Sequence, residues 1–229
     1  MKKIIRATIL SLLLALKPAE KIHALGFDFI EKVYFSNNGS GKCSFTVDLS
    51  KISAIISLLQ YIKQDYRKTT KIIGYDAFVA AKQLLRRMRG IHGVRIKYDD
   101  NMLKFTIIFH FQSIQVLNEV MKKIHNNMDS TTITYFRLTN NVFVREDMNS
   151  IARKLIQYKE NDDSLVKSLD LDFFFRDITY TVAYSFDKNI KEFTNPLSVI
   201  SRNKKTVRIT HHVLNKDETR HSISNRIYF

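Results

Sequence analysis

The chain has 229 residues, 45% of them hydrophobic and 26% charged, so it is long enough to bury a substantial core. Its formal net charge of +15 favours anionic partners, such as lipid head groups, glycolipids or nucleic acid. The single cysteine, Cys43, excludes an internal disulfide framework and a metal site built from several cysteines.

The amino terminus has the pattern of a secretory signal peptide. The basic start contains Lys2, Lys3 and Arg6. The apolar run that follows, from Ala7 to Leu16, is too short to span a bilayer. We expect residues 1–26 to be a signal peptide, with cleavage after Ala24 or Gly26; the alternative is an uncleaved anchoring helix. Its removal would leave a net charge of +11, because the segment contains five basic residues and one acidic residue.

Two stretches of the chain predict the same strand–strand–helix unit. The first has strands at Phe29–Phe35 and Lys42–Leu49, joined by the turn residues Asn37–Gly41, and an apolar helical stripe from Ile52 to Ile62. In the second, the strands at Val94–Tyr98 and Leu103–Phe111 precede a helix from Ile114 to Ile124 that Ser113 could cap. Both copies contain Phe-Thr, apolar alternation and a serine-led helix, so we expect an internal duplication.

Between these units lies a basic amphipathic helix, predicted over Tyr75 to Arg89 and ended by Gly90. Its cations could bind an anionic membrane: Lys82, Arg86, Arg87 and Arg89. More often, such a helix packs its apolar stripe on the core and leaves its charges in water. We predict these four residues as a ligand-binding basic surface.

The rest of the chain predicts further strands. A hairpin within Thr131 to Arg145 precedes a helix at Met148–Tyr158, and residues from Ile178 onward are strand-like. The predicted fold class is α+β: repeated ββα units form a curved, mainly antiparallel sheet with helices on one face, and carboxy-terminal strands extend it. Residues 27–229 are expected to form one envelope domain; the alternative is a separate β-rich subdomain at 177–229.

No catalytic group emerges from the sequence. His211 and His212 would point to opposite faces of a strand and so cannot chelate one ion. Asp170 and Asp172 could share a face and act as an acid–base pair, but charge at a segment end explains them more simply. We therefore predict neither an enzyme nor a cofactor or metal site.

Three other motifs have structural explanations. Asn37 to Lys42 superficially suggests a phosphate loop, but a strand follows its glycines where a P-loop has a helix. Cys43 lies on the alternating face of a strand and is expected to be a small core residue. Tyr228-Phe229 is similar to the end of a membrane β-barrel strand, but the helices between the hairpins argue against a barrel.

The order of these features resembles known envelope proteins. The blocks that carry the resemblance are NNGSGKCSFTVDLSKI, GVRIKYDDNMLKFTIIFHFQSIQVLNEVMKKI, YFRLTNNVFVRED and TYTVAYSFDKNIKEFTNPLSVISRNKKTVRIT. They resemble a group of small envelope lipoproteins of Bacteroidetes with no established activity and, more distantly, the LppM-type domain of mycobacterial envelope proteins. The second likeness implies binding of anionic glycolipid. Ala24-Leu25-Gly26 stands where the first group has a lipid-attachment cysteine.

The sequence thus favours an exported, periplasmic or envelope-associated protein without enzymatic activity that binds anionic lipid, a membrane surface or an envelope protein. The alternative is a basic nucleic-acid-binding protein, for which the charge argues. The signal peptide and the lack of an aromatic-plus-arginine RNA-binding motif argue against it. An enzyme is a third hypothesis, and it would need an acid–base pair beyond those named above.

Overall fold

The computed structural model describes residues 26–53, 75–99, 103–124, 134–146, 177–213 and 223–229. The strands in chain order are β1 Asp28–Phe35, β2 Gly41–Asp48, β3 Ile91–Asp99, β4 Lys104–Phe111, β5 Phe136–Leu138, β6 Val142–Arg145, β7 Thr179–Phe186, β8 Glu192–Phe193, β9 Val199–Ile200, β10 Thr206–His212 and β11 Asn225–Tyr228. The helices are α1 Tyr75–Arg86 and α2 Ile114–Ile124, and a 3-10 turn spans Ser50–Ile52. The predicted α+β class is confirmed.

The described strands form two sheets. A seven-stranded sheet has the order β3-β4-β2-β1-β7-β10-β9, and a four-stranded sheet has the order β5-β6-β11-β8. All recorded strand pairs are antiparallel except β1 with β7, which run parallel over eight residue pairs. The sequence predicted that the carboxy-terminal strands extend one sheet. Three of them do, whereas β8 and β11 pair into the smaller sheet.

Alternation along the strands divides the large sheet into two faces. In β4 the odd residues from Phe105 to Phe111 are buried and the even ones are partly exposed. The buried face is continued by Val33 in β1 and Val182 in β7. Two glycines shape the sheet: Gly39 turns the β1–β2 hairpin with φ of 80°, and Gly93 has φ of 63° within the β-bulge of β3.

The buried face of the large sheet packs against the small sheet and the helices. Phe35 and Phe186 of the large sheet lie 4.9 and 5.1 Å from Phe143 of the small sheet, measured between ring centroids. Leu117 of α2 is fully buried, and Leu85 of α1 nearly so. Each such side chain stabilises the fold by about 1.5–3 kcal/mol through removal of apolar area from water. The main core therefore lies between the large sheet and the layer that covers it, and a smaller cluster forms around Leu49 and Phe105.

The duplication predicted from the sequence remains a prediction. The second unit is β3-β4-α2, as expected, and its helix has the predicted bounds. The first shows β1, β2 and the 3-10 turn, but residues 54–62 of its expected helix lie outside the described residues. So do residues 1–25 of the signal segment, the helix expected at 148–158, and Asp170 and Asp172. Neither described helix combines the length and hydropathy needed to cross a bilayer.

A side-chain amide attaches α2 to the outer edge of the small sheet. The Asn118 Oδ1 atom accepts hydrogen bonds from the backbone N–H groups of Tyr135 (3.1 Å) and Phe136 (2.9 Å), and its Nδ2 atom donates to the Phe136 carbonyl (3.0 Å). We expect Asn118→Ala to lower the free energy of unfolding by about 2–3 kcal/mol, because three part-buried backbone groups lose their partner. Urea unfolding measures this loss. A change no larger than that of exposed Gln115→Ala would contradict it.

Candidate functional site

The side of the large sheet that faces away from the core is called the outer face here. Neither described helix nor the small sheet covers it. Its residues follow from the strand register: Asp28, Ile30, Lys32, Tyr34, Lys42, Ser44, Thr46, Asp48, His92, Arg95, Lys97, Asp99, Lys104, Thr106, Ile108, His110, Thr179, Thr181, Ala183, Ser185, Val199, Thr206, Arg208, Thr210 and His212. The alternation that buries their neighbours places these side chains toward solvent.

The carboxylates and most cations of the outer face lie in different cross-strand rows, where a row is a line of residues that are paired directly across neighbouring strands. One cross-strand row contains all three strand carboxylates of this face, Asp28, Asp48 and Asp99. The strand residues of the other rows include five exposed cations and no carboxylate, namely Lys32, Lys42, Arg95, Lys97 and Arg208. These five side chains are called the cation group. Asp187, which follows β7, reaches this face as the acceptor of the Tyr34 hydroxyl. Strand spacing places Arg95 and Arg208, five strands apart, about 24 Å from each other.

Two of the three strand carboxylates of the outer face, Asp28 and Asp48, are paired with lysines outside the cation group. Lys104 Nζ lies 2.7 Å from Asp48 Oδ2, and Lys51 Nζ lies 2.7 Å from Asp28 Oδ1. Burial opposes ionisation of Asp48, but hydrogen bonds from Lys104 and from Ser50 outweigh it and lower the pKa of this carboxyl. No member of the cation group has an ion-pair partner within the part of the chain that the structure describes. Among the described residues, no carboxylate therefore neutralises these five side chains.

Threonine and serine side chains join the strands of the same face. Hydroxyl pairs lie across neighbouring strands: Thr46 and Thr106 at 2.9 Å, Thr181 and Thr210 at 3.0 Å, and Ser185 and Thr206 at 2.9 Å. Such cross-strand pairs stabilise a sheet by roughly 0.2–1 kcal/mol each. Their short polar side chains also form the surface between the cations. The cationic side chains therefore project above a low hydroxyl surface.

Two histidines stack beside Lys42 on the outer face. The rings of His92 and His110 lie 5.3 Å apart with an interplanar angle of 16°. Partial burial lowers the pKa of His110, and the positive charges of His92, Lys42 and Arg95 lower it further. Glycine at position 93 accommodates this ring, because a Cβ atom there would lie 2.8 Å from the His110 Nδ1 atom.

This arrangement makes stability depend on pH. Because the pKa of folded His110 is below its unfolded value of 6.5, the unfolded chain binds the proton more readily, and His110 reduces stability as pH falls through and below 6.5. We expect His110→Gln to flatten the loss of stability between pH 7 and pH 5. Urea unfolding at several pH values measures it. Parallel stability curves for the variant and the wild type would contradict this prediction.

The four cations predicted from the sequence lie away from the outer face. Lys82 and Arg86 lie in α1, whose Phe78 ring is 5.7 Å from Phe105 on the buried face of the sheet. Arg87 and Arg89 follow the helix, and both are exposed, as is Arg86, whereas Lys82 is half-buried. These residues belong to the covering layer beside the edge strand β3, and their role in ligand binding remains a prediction.

The other sequence candidates have structural positions. His211 is buried in the core opposite Tyr180, and His212 lies on the outer face, as the alternation predicted. Cys43 is fully buried and its thiol is free; burial raises its pKa well above the ordinary value, with Glu31 contributing. Asn37 to Gly41 is a hairpin turn, not a phosphate loop. Phe229 packs on Phe186 with ring centroids 4.8 Å apart.

The core contains one charged group that the sequence analysis did not identify. Glu31 of β1 and Arg145 of β6 have no exposed side-chain surface, and Arg145 Nη2 lies 3.6 Å from Glu31 Oε2. The hydroxyl groups of Tyr180 and Tyr184 donate to the same carboxylate at 2.5 and 3.1 Å. The Arg145 guanidinium lies 4.6 Å above the Phe136 ring. Glu31 itself could have indicated this cluster in the sequence, because it occupies an inward position of an alternating strand and a buried glutamate needs a partner.

The charge states of this buried cluster follow from its contacts. Burial opposes the charge of Arg145, but the interactions with Tyr184 and Glu31 outweigh it and raise the pKa of the guanidinium above its ordinary value. Burial and then Glu31 raise the pKa of Tyr180, and burial is also the main cause of the raised pKa of Tyr184. Both phenols therefore stay protonated and donate hydrogen bonds. The cluster joins the two sheets, because Glu31, Tyr180 and Tyr184 belong to the large sheet and Arg145 to the small one.

Comparison with known proteins identifies no family. No protein-family model matches the chain, and no curated protein matches it. Among solved structures, the chain is similar to the folded domain of Mycobacterium tuberculosis LppM, with 7% sequence identity, coverage of 93% of this chain and 94% of that domain, and a TM-score of 0.45. The LppM-type domain was the more distant of the two resemblances found in the sequence. The resemblance to Bacteroidetes lipoproteins stays a prediction. Similarity of this degree assigns no function.

Proposed function

We propose that this protein is an exported, non-enzymatic protein of the cell envelope that binds anionic lipid surfaces through its outer face. The observation that carries the proposal is the cation group, whose five exposed side chains lie in rows without a carboxylate. The five cations lie on the same face of one sheet, and four of them lie on β3, β2 and β1 in one half of it. Several of the cations can therefore approach lipid phosphates together.

The expected strength of binding comes from the number of cations. Each lysine or arginine near an anionic leaflet contributes about 1 kcal/mol, and this attraction falls off within a Debye length of about 8–10 Å. Five such residues would give a substantial affinity without an inserted apolar segment. Ile30 and Ile108, which lie between the cations, are only partly exposed and would add little.

Nucleic acid is the competing polyanion, and the outer face suits it less well. Proteins that bind single strands on an open sheet stack bases on exposed aromatic rings. Among the described outer-face residues, Tyr34 is the only tyrosine, phenylalanine or tryptophan. Its hydroxyl donates to Asp187 at 2.5 Å, and this contact adds a carboxylate beside the ring. The arrangement favours lipid phosphates over a stacked nucleic acid.

Vesicle binding tests this function. We expect the protein to bind vesicles of phosphatidylserine and phosphatidylcholine at 50 mM salt and to be released by 500 mM salt, because salt screens the electrostatic attraction. We expect no binding to vesicles of pure phosphatidylcholine, which have no net charge. Cosedimentation measures the bound fraction. Absence of binding at 50 mM salt would contradict the proposal. Tighter binding to a single-stranded oligonucleotide than to the vesicles would favour the nucleic-acid alternative.

Export is tested on the protein from its own cells. Cleavage of the expected signal would give a mature chain starting at Leu25 or Phe27 in an envelope fraction. Mass spectrometry of the isolated protein measures this start. An intact amino terminus in a cytoplasmic fraction would contradict the envelope location, whereas the vesicle experiment would still test the lipid-binding surface.

A further inference from the structure

A polar cleft lies on the opposite side of the large sheet from the outer face. Its volume is about 550 Å³, which is within the range of ligand-binding clefts. Its walls are the β1–β2 turn, one side of α2, and the edge strand β5 with the turn that follows it. The polar α2 residues that line it have helical spacing on one side of the helix, namely Gln115, Asn118, Glu119 and Lys122.

The edge of β5 presents backbone groups to this cleft. Thr139 N–H donates to the Val142 carbonyl, and Glu146 N–H donates to the Tyr135 carbonyl, so the odd residues of this segment bond to β6. In an antiparallel pair the backbone groups of the even residues then point away from β6. Those of Phe136 are bonded to Asn118. Those of Leu138 are the next outward pair and have no hydrogen-bond partner in the described part of the chain.

Asn118 shows which chemistry fits this edge. Its planar side-chain amide both donates to and accepts from Phe136, as a neighbouring peptide unit would. The next outward pair, at Leu138, lies about 7 Å further along the strand. Primary amides of Gln115 and Asn140 line the same cleft, and each can donate to and accept from a peptide backbone. The cleft therefore offers hydrogen bonds matched to an extended peptide.

We propose that this cleft binds an extended peptide segment of a partner protein, which pairs with β5 at Leu138. This inference concerns a second surface and does not depend on lipid binding by the outer face. Binding would use main-chain hydrogen bonds for affinity and the cleft walls for side-chain selection, as in other strand additions to a sheet edge. The charges in the cleft are balanced: Glu119 lies 3.9 Å from Lys122, and Arg137 is paired with Glu146. A peptide without strong net charge fits best.

The probe is a random heptapeptide library displayed on phage and selected against the immobilised full chain. Selected peptides are synthesised, and their binding is followed by amide chemical shifts of the protein. We expect the Leu138 amide signal to shift and its hydrogen exchange to slow. N-methylation of the peptide at every second residue should weaken binding, whereas N-methylation at the intervening residues should not, because alternate N–H groups face the edge.

A pair of proline variants tests the edge itself. Leu138→Pro removes an outward N–H without breaking the β5–β6 ladder, and should weaken peptide binding roughly five- to tenfold. Ile200→Pro is the matched control, because Ile200 occupies the corresponding outward position of edge strand β9. The N-methyl comparison uses the unmodified protein and so does not depend on the folding of either variant.

Three outcomes would overturn the proposal. In the first, no selected peptide shifts the Leu138 signal. In the second, N-methylation weakens binding without alternation along the peptide. In the third, the neutral sugar maltotriose shifts that signal and peptides do not, which would make the cleft a carbohydrate site.

Discussion

Replacing Glu31 with alanine is expected to lower the free energy of unfolding by about 3–5 kcal/mol, the usual cost of leaving a buried charge without its partner. Arg145, whose Nη2 atom lies 3.6 Å from Glu31, would remain in the core without its carboxylate partner. The hydroxyl groups of Tyr180 and Tyr184 would also lose their common acceptor. Urea unfolding, followed by circular dichroism, measures the change.

Two further variants separate the charge from the hydrogen bonds. Glu31→Gln keeps an acceptor for the tyrosines but removes the negative charge, so its loss should be smaller than that of the alanine variant. Glu192→Ala is the matched control, because Glu192 is exposed in β8, and it should change stability by less than about 0.5 kcal/mol. Equal effects of Glu31→Ala and Glu192→Ala would show that the buried pair contributes nothing.

The partner residue supplies an independent check. Arg145→Met removes the guanidinium while keeping much of its length, and the Glu31→Leu/Arg145→Met double variant removes both charges. We expect the double variant to be more stable than the summed losses of the Glu31→Leu and Arg145→Met single variants predict, because each single variant leaves one uncompensated charge. Additive losses would mean that Glu31 and Arg145 do not interact across the two sheets.

Local features of this fold can be predicted from the sequence, whereas long-range features cannot. Helix α2 was predicted with its observed bounds, because the change from period two to helical period at Ser113 is visible in the chain. The β1–β2 turn was equally clear from Asn37 to Gly41. These features depend on neighbouring residues only, so local chemistry was sufficient.

Strand pairing could not be read in the same way. Alternation shows that Lys32 and Arg208 face away from a core, but not that β7 alone separates their strands. The parallel pairing of β1 with β7 joins residues about 150 positions apart and leaves no local signal. For the same reason the assignment of β8 and β11 to a second sheet was missed. The four cations predicted on and after α1 lie close together in the sequence. The residues of the cation group come from four different strands, and only the strand register brings them onto one surface.

Removing four charges from the outer face is expected to weaken vesicle binding about a thousandfold. The variant replaces Lys32, Lys42, Arg95 and Arg208 with glutamine. At about 1 kcal/mol for each cation near an anionic leaflet, the loss approaches 4 kcal/mol, and every 1.4 kcal/mol is a tenfold change. All four side chains are exposed and have no ion-pair partner among the described residues, so the substitutions should leave the fold intact. Thermal unfolding checks the fold.

The matched control removes the same number of charges from the covering layer. It replaces Lys82, Arg86, Arg87 and Arg89 with glutamine, so both variants have the same net charge and differ only in where it was removed. If position decides binding, the α1 variant should retain most of its affinity for vesicles that contain phosphatidylserine. If net charge alone decides, both variants should weaken equally. A loss confined to the α1 variant would assign the membrane surface to the residues predicted from sequence, because the cation group would then lie away from the lipid.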